Sequence, residues 1–188
     1  MRAPLYFTGA LFLSTLAYAV SAPKATPGDD PVRSAELFRE ATKTFRHPRC
    51  LNCHPAGSRP TQGDDMHPHV MNVVRGPKDH GAVAMQCFAC HGTKNNENSG
   101  VPGAPKWAVA PKSMAWVGLN DRQLCEAIKD RKKNHNMSLE KMIEHNGKDE
   151  LVGWAWHPGA GRAPAPGTQE SFGKLIAEWV ATGAHCPK

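Results

Sequence analysis

The sequence predicts a mostly α, loop-rich fold whose core is completed by something besides its own side chains. Three observations carry this expectation. Apolar residues recur at helical spacing in several segments, and no segment alternates apolar and polar residues over the length of a strand. Glycine and proline are abundant, 17 and 16 among 188 residues, and gather in long stretches between the helical segments. The pentapeptide Cys-x-x-Cys-His occurs twice, at residues 50–54 and 87–91.

Cys-x-x-Cys-His is the attachment signature of a c-type haem, and its spacing has a chemical reason. Two thiols three positions apart can each add to one vinyl group on a single porphyrin edge. The histidine after the second cysteine then lies under the ring, where its imidazole can bind iron. The sequence therefore predicts a cytochrome c-type fold built around two covalently attached haems. Cys50, Cys53, Cys87 and Cys90 are the expected attachment residues, and His54 and His91 the expected proximal iron ligands. The same four cysteines could instead form one tetrahedral zinc site. The histidine after both pairs and the export signal described next argue against that.

Residues 1–19 read as a signal peptide: Arg2 supplies the charge, an apolar run from Leu5 to Ala17 follows, and Ala17-Tyr18-Ala19 is the cleavage site. A cut after Ala22 would place Pro23 next and is the poorer option. The apolar run is short for a membrane span, and no other stretch is long enough, so the mature chain is expected to be periplasmic without a membrane span. Haem attachment outside the cytoplasm requires such export. Residues 20–30 read as a flexible leader and 31–188 as the dihaem domain, with a haem-attaching part at 31–111 and a helical C-terminal part at 112–188.

Asp30-Pro31 opens the first helix, with Asp as cap and Pro at the first helical position. Phe38, Ala41 and Phe45 lie on one stripe, and Pro48 ends it. Residues 55–81 carry Gly, Pro, His and Met with no helical or strand period, the kind of long loop that usually has a function. Residues 92–111 also read as loop. Asn120 with Gln123 forms a capping box ahead of a helix that buries Leu124, Cys125 and Ile128. Ser138 caps the next helix, with Met137 and Met142 as its hydrophobic staple and Gly147 as its stop. The apolar run at 151–156 reads as buried helix. Thr168 caps the last helix, with Phe172, Leu175, Ile176, Trp179 and Val180 on its apolar face and Gly183 as the stop.

Four of the six cysteines belong to the haem motifs, leaving Cys125 and Cys186. In an oxidising compartment an even remainder suggests one disulfide, closing a loop of about 60 residues and worth roughly 3–4 kcal/mol. The alternative is two buried free thiols.

The distal ligands are open. His67 and His69 sit between the motifs in the irregular loop. His145, at the end of the 138–146 helix, and Met114, after a Pro/Lys loop, are the other candidates. His/His ligation would lower the potential relative to Met/His. Met71, Met85, Met137 and Met142 read as core fillers. His47, His80, His135, His157 and His185 read as surface residues. Trp154, Trp156 and Trp179 are expected to pack against haem edges, and Arg75 is a candidate partner for a propionate.

The formal net charge is +6. It does not argue for nucleic acid, because two haems bring four propionates that offset much of it. Local basic clusters (Arg46, Arg49 and Arg59; Arg131, Lys132 and Lys133) can face propionates or an acidic redox partner.

The two motifs make the chain resemble the periplasmic dihaem c-type cytochromes. The longer pattern Cys50-Leu-Asn-Cys-His-Pro, Asp64-Asp-Met-His-Pro-His, Arg75-Gly-Pro, Leu151-Val-Gly-Trp-Ala-Trp and Gly161-Arg-Ala-Pro-Ala-Pro is similar to small bacterial proteins labelled isoquinoline 1-oxidoreductase subunit. That resemblance implies electron transfer beside a molybdenum hydroxylase. No molybdopterin or flavin motif is present, so this chain would be the electron-accepting partner. The expected function is transfer of electrons from a periplasmic dehydrogenase to a cytochrome or oxidase acceptor of the respiratory chain, without catalysis. The alternative is a haem enzyme, such as a peroxidase or a sulfur-compound oxidoreductase, with one open haem site.

Overall fold

A computed structural model describes residues 28–188, so the expected signal peptide and most of the leader lie outside the described residues. Among the described residues, six α-helices account for most of the regular structure. Helix α1 spans Pro31–Phe45, α2 Pro48–Leu51, α3 Asp121–Lys129, α4 Leu139–Lys148, α5 Glu150–Gly153 and α6 Gln169–Ala181. Four two-residue strands form two antiparallel pairs, β1 (Thr61–Gln62) with β2 (His67–Pro68) and β3 (Gly81–Ala82) with β4 (Met85–Gln86). They are too short to carry a hydrophobic period.

The helix boundaries follow local chemistry. The Asp30 side chain accepts from the Arg33 N–H at 2.9 Å, with Pro31 at the first helical position. Asn120 and Gln123 close a reciprocal capping box on α3, and Ser138 and Asp149 cap α4 and α5. Thr168 and Ser171 close the box on α6, and Gly183, at φ +100, supplies the left-handed residue just past its end. Pro48 does more than end α1: it sits at the first position of α2, the one-turn helix that carries Cys50.

The core lies where α1 and α4 pack on α6. Phe38, Phe45, Phe172, Ile176 and Trp179 fill it, with Leu124 and Ile128 of α3. Each fully buried large apolar side chain contributes about 1.5–3 kcal/mol. Phe45 meets Trp116 and Phe172 edge to face at 5.2 and 5.1 Å. Trp179 is fully buried against Phe38 and donates to the His185 carbonyl, so it belongs to this helical core and touches neither cavity described below. Cys125 and Cys186 are disulfide-bonded with Cα atoms 5.6 Å apart, which ties the C-terminal segment to α3.

Gly147 was expected to stop α4, but the helix runs on to Lys148. The glycine serves a close approach instead. A Cβ on Gly173 of α6 would lie 2.6 Å from the Gly147 Cα, so two bare backbones meet at this crossing. In space α1 joins the C-terminal helices, while residues 55–111 form an irregular layer beside them.

Candidate functional site

Both pentapeptides fold into a single helical turn. The His54 N–H donates to the Cys50 carbonyl at 3.1 Å, and the His91 N–H to the Cys87 carbonyl at 2.9 Å. In each case the turn brings two thiols and one imidazole to the same short stretch of surface. The first turn is the end of α2; the second follows β4 as a 3₁₀ turn over Cys87–Ala89.

The first turn opens into a cavity of about 220 Å³ under the helical core. Cys50, Cys53 and His54 line one part. Met114, Trp116, Met142, His145 and Trp156 are among the residues that line the rest. The Met114 carbonyl lies 2.7 Å from His54 Nδ1. A carbonyl only accepts, so Nδ1 carries the proton and Nε2 keeps its lone pair. The ring stacks on Trp116 with centroids 3.3 Å apart and planes 10° from parallel. Burial pushes the His54 pKa down to about 3, against the opposing pull of the Met114 carbonyl, so the ring is neutral near pH 7. His145, on α4, lines the same cavity and lies close enough for its charge to act on His54. Burial also lowers its pKa.

The second turn opens into a larger cavity of about 470 Å³, built mostly from loops. Its histidine repeats the first arrangement. The Pro102 carbonyl lies 2.7 Å from His91 Nδ1, and Trp107 stacks on the ring at 4.5 Å and 9°. Burial lowers the His91 pKa, again leaving a neutral ring with Nε2 unprotonated. His69 lines this cavity and faces His91, with ring centroids 6.0 Å apart and planes at 74°. Its Nδ1 lies 2.9 Å from the Val70 carbonyl, so Nδ1 carries a proton there too.

The two cavities share a wall made of Arg49, Cys53, Ala108, Val109 and Trp154. Cys53 also lies near enough to Cys87 for a Cys87 thiolate to raise the Cys53 pKa. Burial pushes the Cys50 and Cys53 thiols up to about 12 and about 11. With no metal bound, these thiols are protonated at neutral pH.

The donor chemistry fits a covalently attached haem in each cavity. Each has a thiol pair on one turn, a neutral imidazole oriented by a carbonyl, and a second imidazole within the same cavity. Such an orienting carbonyl fixes the tautomer and ring plane of a metal-binding histidine. The four thiols do not suit one tetrahedral site: Cys50 lines only the first cavity, Cys87 and Cys90 only the second. Among the described residues no group of three or more His, Cys, Asp or Glu gathers as a metal cluster. An iron already held by a porphyrin needs only two side chains.

The other expected residues fall as follows. His67 is exposed, bonded to Asp65 at 2.6 Å, and lines neither cavity. Met114 is buried and lines the first cavity, with its backbone carbonyl against His54 Nδ1. Trp154 lines both cavities and Trp156 the first. His135 is exposed, as expected, yet reaches the rim of the first cavity. Arg75 is buried, pairs with Asp79 at 3.1 Å and acts electrostatically on His54. The residues that sequence reasoning missed are Trp107 and Trp116, and the carbonyls of Pro102 and Met114. No spacing rule links them to the motifs.

No family model, curated protein or solved structure matches this chain. Among the described residues, no helix is long and apolar enough to cross a membrane.

Proposed function

We propose that this chain is an exported dihaem c-type cytochrome that carries electrons between a periplasmic dehydrogenase and the respiratory chain. The observation that carries the reading is the pairing of each Cys-x-x-Cys-His turn with a second histidine in its own cavity, His145 with His54 and His69 with His91. In this reading Cys50 and Cys53 hold one haem and Cys87 and Cys90 the other. When bound, haem supplies an iron that exchanges one electron without touching substrate. The chain's part is to hold that iron on two nitrogens, keep water from it and keep the two sites close.

The shared wall supports transfer between the sites, since Cys53 and Trp154 belong to both cavities. The donor is a dehydrogenase, with a molybdenum hydroxylase suggested by the sequence resemblance, and the acceptor a cytochrome or oxidase. The exposed run Arg131, Lys132 and Lys133 suits partners with an acidic face.

Near-infrared and electron paramagnetic resonance spectra of the purified ferric protein test this reading. Two low-spin His/His centres, unmoved by cyanide or peroxide, are the expected result. A five-coordinate, high-spin centre that responds to either reagent would instead indicate a haem enzyme.

A further inference from the structure

Although Arg75 is also buried with an unpartnered Nε, Arg49 is, among the described residues, the one Arg or Lys that lines both cavities. Its side chain is 1% exposed, and it lines both cavities from the wall between them. Its Nη2 bonds Asp64 at 2.5 Å and the Gly63 carbonyl at 2.9 Å. Its Cζ lies 5.7 Å from the Trp154 ring. Its Nε–H is buried and has no partner. A buried donor left without an acceptor costs about 1–3 kcal/mol, so an orphan of this kind points to a missing ligand. The ion pair with Asp64 is also lopsided. The Asp64 side chain is 49% exposed, so water screens only part of its charge, and the rest opposes the buried guanidinium.

We propose that Arg49 is a positioning residue common to both haem sites: its unpartnered Nε–H binds a carboxylate of a bound macrocycle, and its buried charge raises the reduction potential of both irons. This rests on the reading of the chain as a dihaem cytochrome. The physical basis is that a cation near an iron favours the reduced form, which carries one more electron. A cation in the dividing wall acts on both irons, whereas Arg162 lines only the second cavity.

Redox titration of the two-haem protein, followed by optical spectroscopy, tests this. R49Q is expected to lower both midpoints. R49K keeps the charge and is expected to recover most of the shift. D64N removes the opposing charge from a half-exposed position and is expected to raise both midpoints, and R162Q to lower only that of the second site. A shift confined to one site in R49Q, or equal shifts in R49Q and R49K, would overturn the proposal. Should R49Q fail to fold, D64N decides: two raised potentials support the assignment and unchanged ones refute it. Absence of covalent haem from the wild-type chain would instead overturn the functional reading itself.

Discussion

The rings of His69 and His91 both line the second cavity, 6.0 Å apart with planes at 74°. Both hold their Nδ1 proton on a backbone carbonyl. A haem in this cavity would be held by His91, with His69 as the second nitrogen ligand. H69A is therefore expected to convert one of the two centres to high spin, read by electron paramagnetic resonance. H67A, which removes an exposed ring bonded to Asp65, is expected to leave both spectra unchanged.

His145 and Met114 separate in the same way at the first site. H145A is expected to open the first iron to cyanide. M114A removes a buried side chain and is expected to cost about 2–5 kcal/mol of stability, read by denaturant unfolding, with the low-spin spectrum retained. Loss of the low-spin signal in M114A but not in H145A would reverse the assignment.

The pH dependence follows from burial of His54. Its folded pKa, about 3, lies below the value of about 6.5 of an unperturbed histidine. Below about pH 6.5 the unfolded chain takes up a proton that the folded chain refuses. Stability is full above that pH and falls as the pH drops toward 3. The neutral Nε2 lone pair persists through the same window. Denaturant unfolding across pH is expected to show stability level above about pH 6.5 and falling below it. Stability that stays level from about pH 7 down to about pH 4 would contradict the burial argument.

The Gly147–Gly173 crossing positions the helix that carries His145. A methyl at either glycine meets backbone that cannot rotate away: 2.6 Å to the Gly147 Cα from a Cβ on Gly173, and 3.1 Å to the Gly173 Cα from one on Gly147. G173A is expected to lower the melting temperature and to perturb the first site's spectrum more than the second's. Equal perturbation of both sites would mean that α4 is not held by this contact.

Much of this architecture was legible because its determinants are local. Asp30-Pro31, the Asn120–Gln123 box and Thr168 announce their helices within one turn. The cysteine remainder after two Cys-x-x-Cys-His motifs pointed to the Cys125–Cys186 pair. What stayed hidden depends on distant contacts. His69 differs from its neighbour two positions earlier because β2 pairs with β1 and the His69 N–H donates to the Pro60 carbonyl at 3.0 Å. Spacing alone could not separate it from His67. Gly147 resembled a helix stop because its partner, Gly173, lies on another helix. Trp116 reaches His54 only after the chain returns from the second motif, with its N–H on the His54 carbonyl at 3.1 Å.

The central claim is two haems bound covalently through four thioethers. The mass of the exported, purified and denatured protein tests it most directly. The expected mass is that of the processed chain plus two haem groups, falling by one when Cys50 and Cys53 are both replaced by serine and by the other when Cys87 and Cys90 are. A mass equal to the polypeptide alone, or a gain of one haem in the wild type, would contradict it.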